Sequence, residues 1–209
     1  INVFRNNMGR NELNFHFNRI LNEKLSTGLF IHADQRNEKN DNNNDGFLDT
    51  PLVEGYTIFN RWQLTDLERG LVGFFGIKFM KNEKKGGEKF DTNSLLNKLW
   101  LSEVKTERLD ASFKLGYVNP NIPYQSLGFQ MAYSNHDQNS FFGIRNYGVI
   151  HRSLYSNLIY NSIIGNTMNK IKTGINLTYD DYEELIDIDK NKTERLDRSF
   201  GGYFEYSYD

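Results

Sequence analysis

The chain has no cysteine and only 3 prolines in 209 residues. The first absence excludes a disulfide scaffold and a thiolate metal site. The second leaves extended structure largely uninterrupted, since proline cannot donate to a β ladder. Long apolar runs are absent as well: nothing approaches the roughly 18 residues of a membrane helix. An excess of one charge is also lacking, because 25 basic and 27 acidic residues leave a formal net charge of -2. There is thus no electrostatic case for nucleic acid as a partner. These absences exclude a helical membrane protein but not a membrane barrel, in which only every second strand residue faces lipid.

What the chain does have is aromatic residues (12 Tyr, 16 Phe, 2 Trp) and a sustained alternation of apolar and polar positions. The alternation predicts about nine strands, near 10–19, 25–35, 55–65, 71–82, 105–118, 125–135, 151–163, 169–182 and 194–208. In 169–182, Ile171, Thr173, Ile175, Leu177 and Tyr179 oppose Lys170, Lys172, Asn176, Thr178 and Asp180. In 105–118, Leu109, Ala111, Phe113, Leu115 and Tyr117 oppose Arg108, Asp110, Ser112 and Lys114. In 125–135, Leu127, Phe129, Met131 and Tyr133 form the apolar side. The stretch 151–163 breaks the pattern, with Tyr155 and Ile159 on the side that carries Asn157 and Asn161.

The first hairpin has a testable register. A turn centred on Glu23 pairs Leu21 with Leu25, Phe17 with Leu29, Phe15 with Ile31 and Leu13 with Ala33, which gathers the apolar residues on one face. His16 and His32 then fall on the other face as diagonal neighbours.

The predicted connections alternate in length. Those at 20–24, 66–70, 119–124 and 164–168 are tight, whereas those at 36–54, 83–104, 136–150 and 183–193 are long and polar. If neighbouring strands are antiparallel, all tight turns lie at one end and all long loops at the other, the asymmetry of a transmembrane barrel. The strands also exceed the usual five or six residues of a soluble sheet and match the nine to eleven that cross a bilayer at a tilt. A soluble sandwich would instead bury the apolar face against a second sheet; strand length and loop asymmetry favour the barrel. Tyr203, Tyr206, Tyr208 and Trp62 are candidates for its interfacial girdle, or for buried packing residues.

The sharpest local motif is Asp41-Asn42-Asn43-Asn44-Asp45-Gly46-Phe47-Leu48-Asp49. Asp41, Asn43 and Asp45 occupy positions 1, 3 and 5 of a calcium loop, Gly46 the sharp turn, Phe47 the carbonyl position and Asp49 position 9. Leu52 stands where the bidentate acid belongs, with Glu54 two residues later. The same residues also read as a solvated Asn/Asp turn held by its own side chains. His136 and His151 flank the 136–150 connection as candidate ligand contacts, and Ser94–Lys105 carries Leu95, Leu96, Leu99 and Trp100 at helical spacing. Asp180-Asp181 and Glu183-Glu184, at a strand-to-loop edge, read as solvated charges rather than an acid/base pair. No nucleophile elbow, phosphate loop or zinc signature is present, so an enzyme is not expected.

Asp45-Gly46-Phe47-Leu48-Asp49, Asn60-Arg61-Trp62, Ser153 through Tyr160, and Lys172-Thr173-Gly174 before Tyr179-Asp180-Asp181-Tyr182 together resemble the barrel region of TonB-dependent outer-membrane receptors of the Bacteroidetes type. The resemblance implies an all-β fold, an antiparallel transmembrane β-barrel segment within a larger up-and-down barrel of about 22 strands filled by a plug. Residues 1–209 would then form a partial barrel domain, without the plug and the remaining strands. It implies a bacterial outer-membrane location and active uptake of a scarce ligand such as an iron chelate or cobalamin. Its partners would be membrane lipid, a TonB-type energy transducer acting through the plug, the small-molecule ligand and a surface lipoprotein. Two other classes stay open: a passive porin or adhesin-like barrel, and a secreted soluble protein that binds carbohydrate on Trp62 and Trp100.

Overall fold

A computed structural model describes residues 1–89, 99–186 and 191–208, with the side chain of Asn191 left aside. Within them the chain forms one antiparallel sheet of ten strands in strictly sequential order. These are β1 (Asn2–Arg5), β2 (Arg10–Asn22), β3 (Leu25–Arg36), β4 (Leu52–Asp66) and β5 (Leu71–Gly87). They continue as β6 (Leu101–Val118), β7 (Ser126–Phe142), β8 (Arg145–Ile164), β9 (Asn166–Ile186) and β10 (Asn191–Tyr208). No helix occurs among the described residues.

The nine expected strands are all present, but two features differ from expectation. A short first strand, β1, pairs with Asn11–Asn14 of β2; four residues are too few for alternation to register. The strands also run far beyond their predicted ends. The expected loop 136–150 is instead the tip of a hairpin in which β7 reaches Phe142 and β8 starts at Arg145. Gly143 supplies the left-handed conformation (φ 62°) that this two-residue turn needs. Likewise β5 continues to Gly87, β6 begins at Leu101 and β9 reaches Ile186, so the long connections shrink to 37–51 and 88–100, the second mostly outside the described residues. These extensions are mostly polar, and their apolar residues come in adjacent pairs (Phe141–Phe142, Val149–Ile150, Leu185–Ile186) rather than alternating, which hides them from a test based on alternation. Cross-strand ion pairs knit them instead. Lys85 reaches Glu103 at 3.4 Å and Lys81 pairs with Glu107 across β5 and β6, while Lys85–Glu83 and Lys105–Glu103 (2.9 Å) pair along a single strand. The proposed helix at 94–105 falls outside the described residues over 94–98, and Leu101–Lys105 belong to β6.

At the opposite end all turns are tight, as expected. Two of them are stitched together: Thr65 donates its backbone N–H to Lys24 (2.8 Å), and Lys24 Nζ reaches Asp66 (2.9 Å). The first hairpin keeps the predicted pairs Leu13–Ala33, Phe15–Ile31 and Phe17–Leu29. Leu21 does not face Leu25, because the register shifts between Ile20 and Asn22 and Asn22 takes that place.

The register extends one apolar face across the whole sheet. A single row runs through Trp62, Phe75, Phe113, Met131, Ser156, Leu177 and Phe200 from β4 to β10. The irregular β8 fits: Leu154, Leu158 and Tyr160 join the apolar face, and Tyr155 turns to the polar one, where its hydroxyl accepts from Gln130 Nε2 (3.3 Å). Polar members of the apolar face satisfy themselves locally. Asn60 Nδ2 donates to the Gly28 carbonyl (3.1 Å) and Thr173 Oγ1 to that of Tyr203 (2.9 Å).

This apolar stripe spans about nine residues per strand, for example Leu71–Phe79 on β5 and Leu109–Tyr117 on β6. Beyond it the same face turns mainly charged or polar, with isolated apolar residues such as Ile150, Leu185 and Leu196. The border does not follow the hydrogen-bonding direction. Counting outward to the first charged or amide residue, its last large member is Tyr56 on β4, Phe79 on β5, Tyr133 on β7, Tyr179 on β9 and Phe200 on β10. Tyr56 faces Lys81, two residues past Phe79; Leu109 faces Asn135, two past Tyr133; Tyr179 faces Arg198, two past Phe200. The stripe thus slides by about one residue per strand, which at about 3.4 Å per residue and about 4.8 Å between strands is a slope of about 35°.

There is no core. No apolar side chain is buried, and the accessible surface is 14326 Å². A compact protein of this mass exposes about 10,000 Å².

Candidate functional site

The face opposite the apolar stripe carries the candidate site. Along it, direct cross-strand partners form rows. One row joins Arg108, His136, His151, Tyr182 and Arg195; the next joins Lys78, Asp110, Ser134, Ser153, Asp180 and Asp197. The two rows hold each other. Asp110 takes Lys78 Nζ at 2.7 Å and Arg108 Nε at 2.9 Å. His151 Nε2 meets Asp180 at 3.0 Å, and its ring stacks on Tyr182 at 4.0 Å with the Arg195 guanidinium 4.5 Å from the same tyrosine. His136 and His151 therefore do not flank a loop; they face each other across β7 and β8, and His136 Nδ1 is sealed without a partner. Asp180, Asp181, Glu183 and Glu184 are likewise strand residues with fixed partners rather than solvated loop charges: Arg152 bridges Asp181 and Glu183, and Tyr147 donates to Glu184 (3.1 Å).

At the β2–β4 side the same face changes character. His16, Phe30 and Phe59 are direct partners and stack, with centroid separations of 4.2 Å and 5.7 Å. His16 and His32 are diagonal as expected, but do not act as a pair: His32 Nδ1 meets Asn14 Oδ1 at 2.8 Å and His16 lies on Phe30. The aromatic row was missed from sequence, although the hairpin register already sets His16 opposite Phe30. Trp62 sits on the apolar face, while Trp100 packs toward Phe47 (6.4 Å) and Gly143, so the two do not form one platform. Of the girdle candidates, Trp62, Tyr206 and Tyr208 share the apolar face; Tyr203 stands on the opposite one, against Gly174.

The 41–49 loop folds on itself and on the β5–β6 ends. The Asp45 N–H donates to Asp41 Oδ1 (3.1 Å) and Asn43 Oδ1 (3.3 Å), and Phe47 N donates to Asp45 Oδ1 (2.8 Å). Asp49 Oδ2 accepts from Asn42 N and Nδ2. Gly46 takes φ 84°, the sharp turn expected of it. Leu48 N donates to the Gly87 carbonyl and Phe47 bridges Glu88, docking the loop. These are the hydrogen bonds of an Asn/Asp turn held by its own side chains. Among the described residues no group of three His, Asp or Glu side chains converges as a metal cluster.

The charged extensions have a definite pH response. The Lys85 ammonium holds the Glu83 carboxyl below its ordinary value, and Arg152, then Lys192, does the same for Glu183. Glu107 raises Lys81 and Glu194 raises Lys192. Depressed carboxylates stabilise above their unfolded range and lose that contribution as pH falls through the depressed value; the raised lysines lose theirs only at high pH. Amide protection factors, corrected for the intrinsic pH dependence of exchange, should therefore fall at 81–85, 103–107, 183–186 and 191–194 below about pH 4, with those of the apolar stripe unchanged. Equal change in both zones would contradict this.

No family model matches the chain, and no curated protein matches it.

Proposed function

We propose that this sheet is part of the wall of a transmembrane β-barrel in a bacterial outer membrane, with the apolar stripe against lipid and the polar face lining the lumen. The slanted stripe carries the reading. A flat soluble sheet has no reason to slide its apolar border steadily in one direction, by about one residue per strand on average. In a barrel the strands tilt about 35–45° to the axis, so a border parallel to the bilayer plane must cross the strands obliquely. The stripe's width of about nine residues matches a tilted bilayer crossing. Aromatic residues lie at both borders: Tyr56, Tyr133 and Tyr179 at one, Tyr117, Tyr160 and Tyr206 at the other. The open edges at β1 and β10 call for further strands, because unpaired backbone is not tolerated in hydrocarbon.

Within that reading the tight turns face the periplasm and the charged extensions project outward as the ligand mouth. Coupling to a TonB-type transducer through a plug is supported by the sequence resemblance. Uptake that ceases when the proton-motive force is collapsed supports active transport; uptake that persists identifies a passive pore. The membrane assignment is tested by extraction: release without detergent would refute it.

Calcium belongs to the same proposal, at Asp41, Asn43, Asp45, the Phe47 carbonyl and Asp49, where it would replace the loop's internal hydrogen bonds. Calcium should then slow proteolysis within 36–54. Identical cleavage with calcium and with chelator would leave only the self-bonded turn.

A further inference from the structure

Two of the chain's four histidines stand directly opposite each other. His136 on β7 and His151 on β8 are cross-strand partners on the polar face, with Cβ atoms about 5 Å apart. The groups around them leave no place for a second positive charge. Arg108 faces His136 from β6, and Tyr182 faces His151 from β9 with Arg195 beyond it on β10. Every carboxylate on that side is already engaged. Asp110 of β6 holds Arg108 and Lys78 of β5, Asp197 of β10 holds Arg195, Glu184 of β9 takes the Tyr147 hydroxyl, and Asp180 of β9 takes His151 Nε2. Asp137 and Arg152, the charged chain neighbours of the pair, lie on the other face.

The two rings would receive a proton very differently. A carboxylate only accepts, so His151 Nε2 carries its hydrogen in either state, and Asp180 serves the charged ring well. His136 Nδ1 is sealed and has no partner. A charged imidazole has an N–H at both nitrogens. At His136 one of them would be enclosed with nothing to accept it, and the charge would face both Arg108 and His151, a costly arrangement. Relief requires the ring to swing out, and β7 and β8 must part to let it.

Beyond the pair the ladder continues outward to Phe142 and Arg145. The tip of this hairpin is docked on β6: Gly143 N donates to the Leu101 carbonyl (2.7 Å), and an added Cβ on Gly143 would stand 2.8 Å from Trp100 Nε1. The histidines thus sit at the base of an arm whose far end is held by only a few contacts.

We propose that His136 and His151 form a proton-operated clasp, which keeps the outer β7–β8 arm closed at neutral pH and releases it in mildly acidic surroundings. Imidazole ordinarily gains its proton near pH 6.5. The clasp therefore holds above that range and is lost as pH falls through it, well before the carboxylates of the extensions respond. The arm's place at a ligand mouth rests on the barrel reading; the clasp itself does not.

The intact protein in detergent micelles is followed by hydrogen exchange at pH 7 and pH 5, with rates corrected for the intrinsic pH dependence. Protection over 137–150 should fall by about tenfold or more at pH 5, while Leu109–Tyr117 on the apolar stripe keeps its protection. His136→Gln and His151→Gln, which cannot charge, should each abolish most of that fall, so either variant carries the test if the other does not fold. Heat-modifiable migration on gels establishes which variants are folded. Equal protection of the wild-type arm at both pH values, or a full fall in a folded Gln variant, overturns the clasp. Release of the protein without detergent would instead refute the barrel and leave this comparison intact.

Discussion

Phe113→Arg should destabilise the protein in a lipid bilayer by about 2–4 kcal/mol, and Ser112→Arg, one residue away, by less than about 1 kcal/mol. Phe113 lies midway along the apolar stripe of β6, between Phe75 and Met131. An arginine there must leave its guanidinium among acyl chains or distort the bilayer to hydrate it. Ser112 faces Gly76 and Ala132 on the other side, where an arginine would extend into an aqueous lumen beside polar neighbours. The contrast is read from denaturant unfolding in liposomes. A second measurement separates lipid from a covering protein layer: a fluorophore at position 113 should be quenched by lipid-borne nitroxides, and one at 112 should not. Protection of position 113 from both lipid and water quenchers would mean that another layer of protein covers the stripe, and the transport proposal would fall with it.

Gly70→Val should cost about 3 kcal/mol or more in folding stability, with poor insertion yield, by combining an adverse φ with a backbone clash. Gly70 ends the β4–β5 turn at φ 66°, and an added Cβ would stand far inside contact distance of the Val118 carbonyl oxygen. That contact exists because Val118 donates its N–H to the Gly70 carbonyl (2.8 Å), pinning the end of β6 to the turn. Relief would require breaking this bond and the adjoining Gly70–Leu67 closure. Gly165→Ala, also at positive φ (74°) but with open space around its Cβ, isolates the backbone part of the cost at about 1 kcal/mol. Similar losses at the two sites would show that the Val118 contact relaxes freely.

Some of the candidate site was legible early. The diagonal placement of His16 and His32 followed from the hairpin pairing and stands, as does the sharp turn at Gly46. The pairing of His136 with His151 was not visible, because Gln138 through Tyr147 give no alternation and read as loop. Apart from the Gly143–Ile144 turn they are strand because each finds a partner across the ladder, and such pairing is invisible within a single strand. Tyr203 was misplaced for a related reason: near Gly201 and Gly202 the apolar residues lose their spacing, and only the match to Gly174 decides the face.

Local chemistry alone determined that this chain is an antiparallel meander with one greasy side, because side-chain alternation has a period of two and each tight turn reverses direction. It also located the turns at one end. Only the assembled sheet decided three further matters. These are the oblique course of the apolar border, the extension of the strands into charged territory, and the line of stacked rings on the polar face. All three depend on which residue stands opposite which across strands, and that register is a property of pairs, not of any single segment.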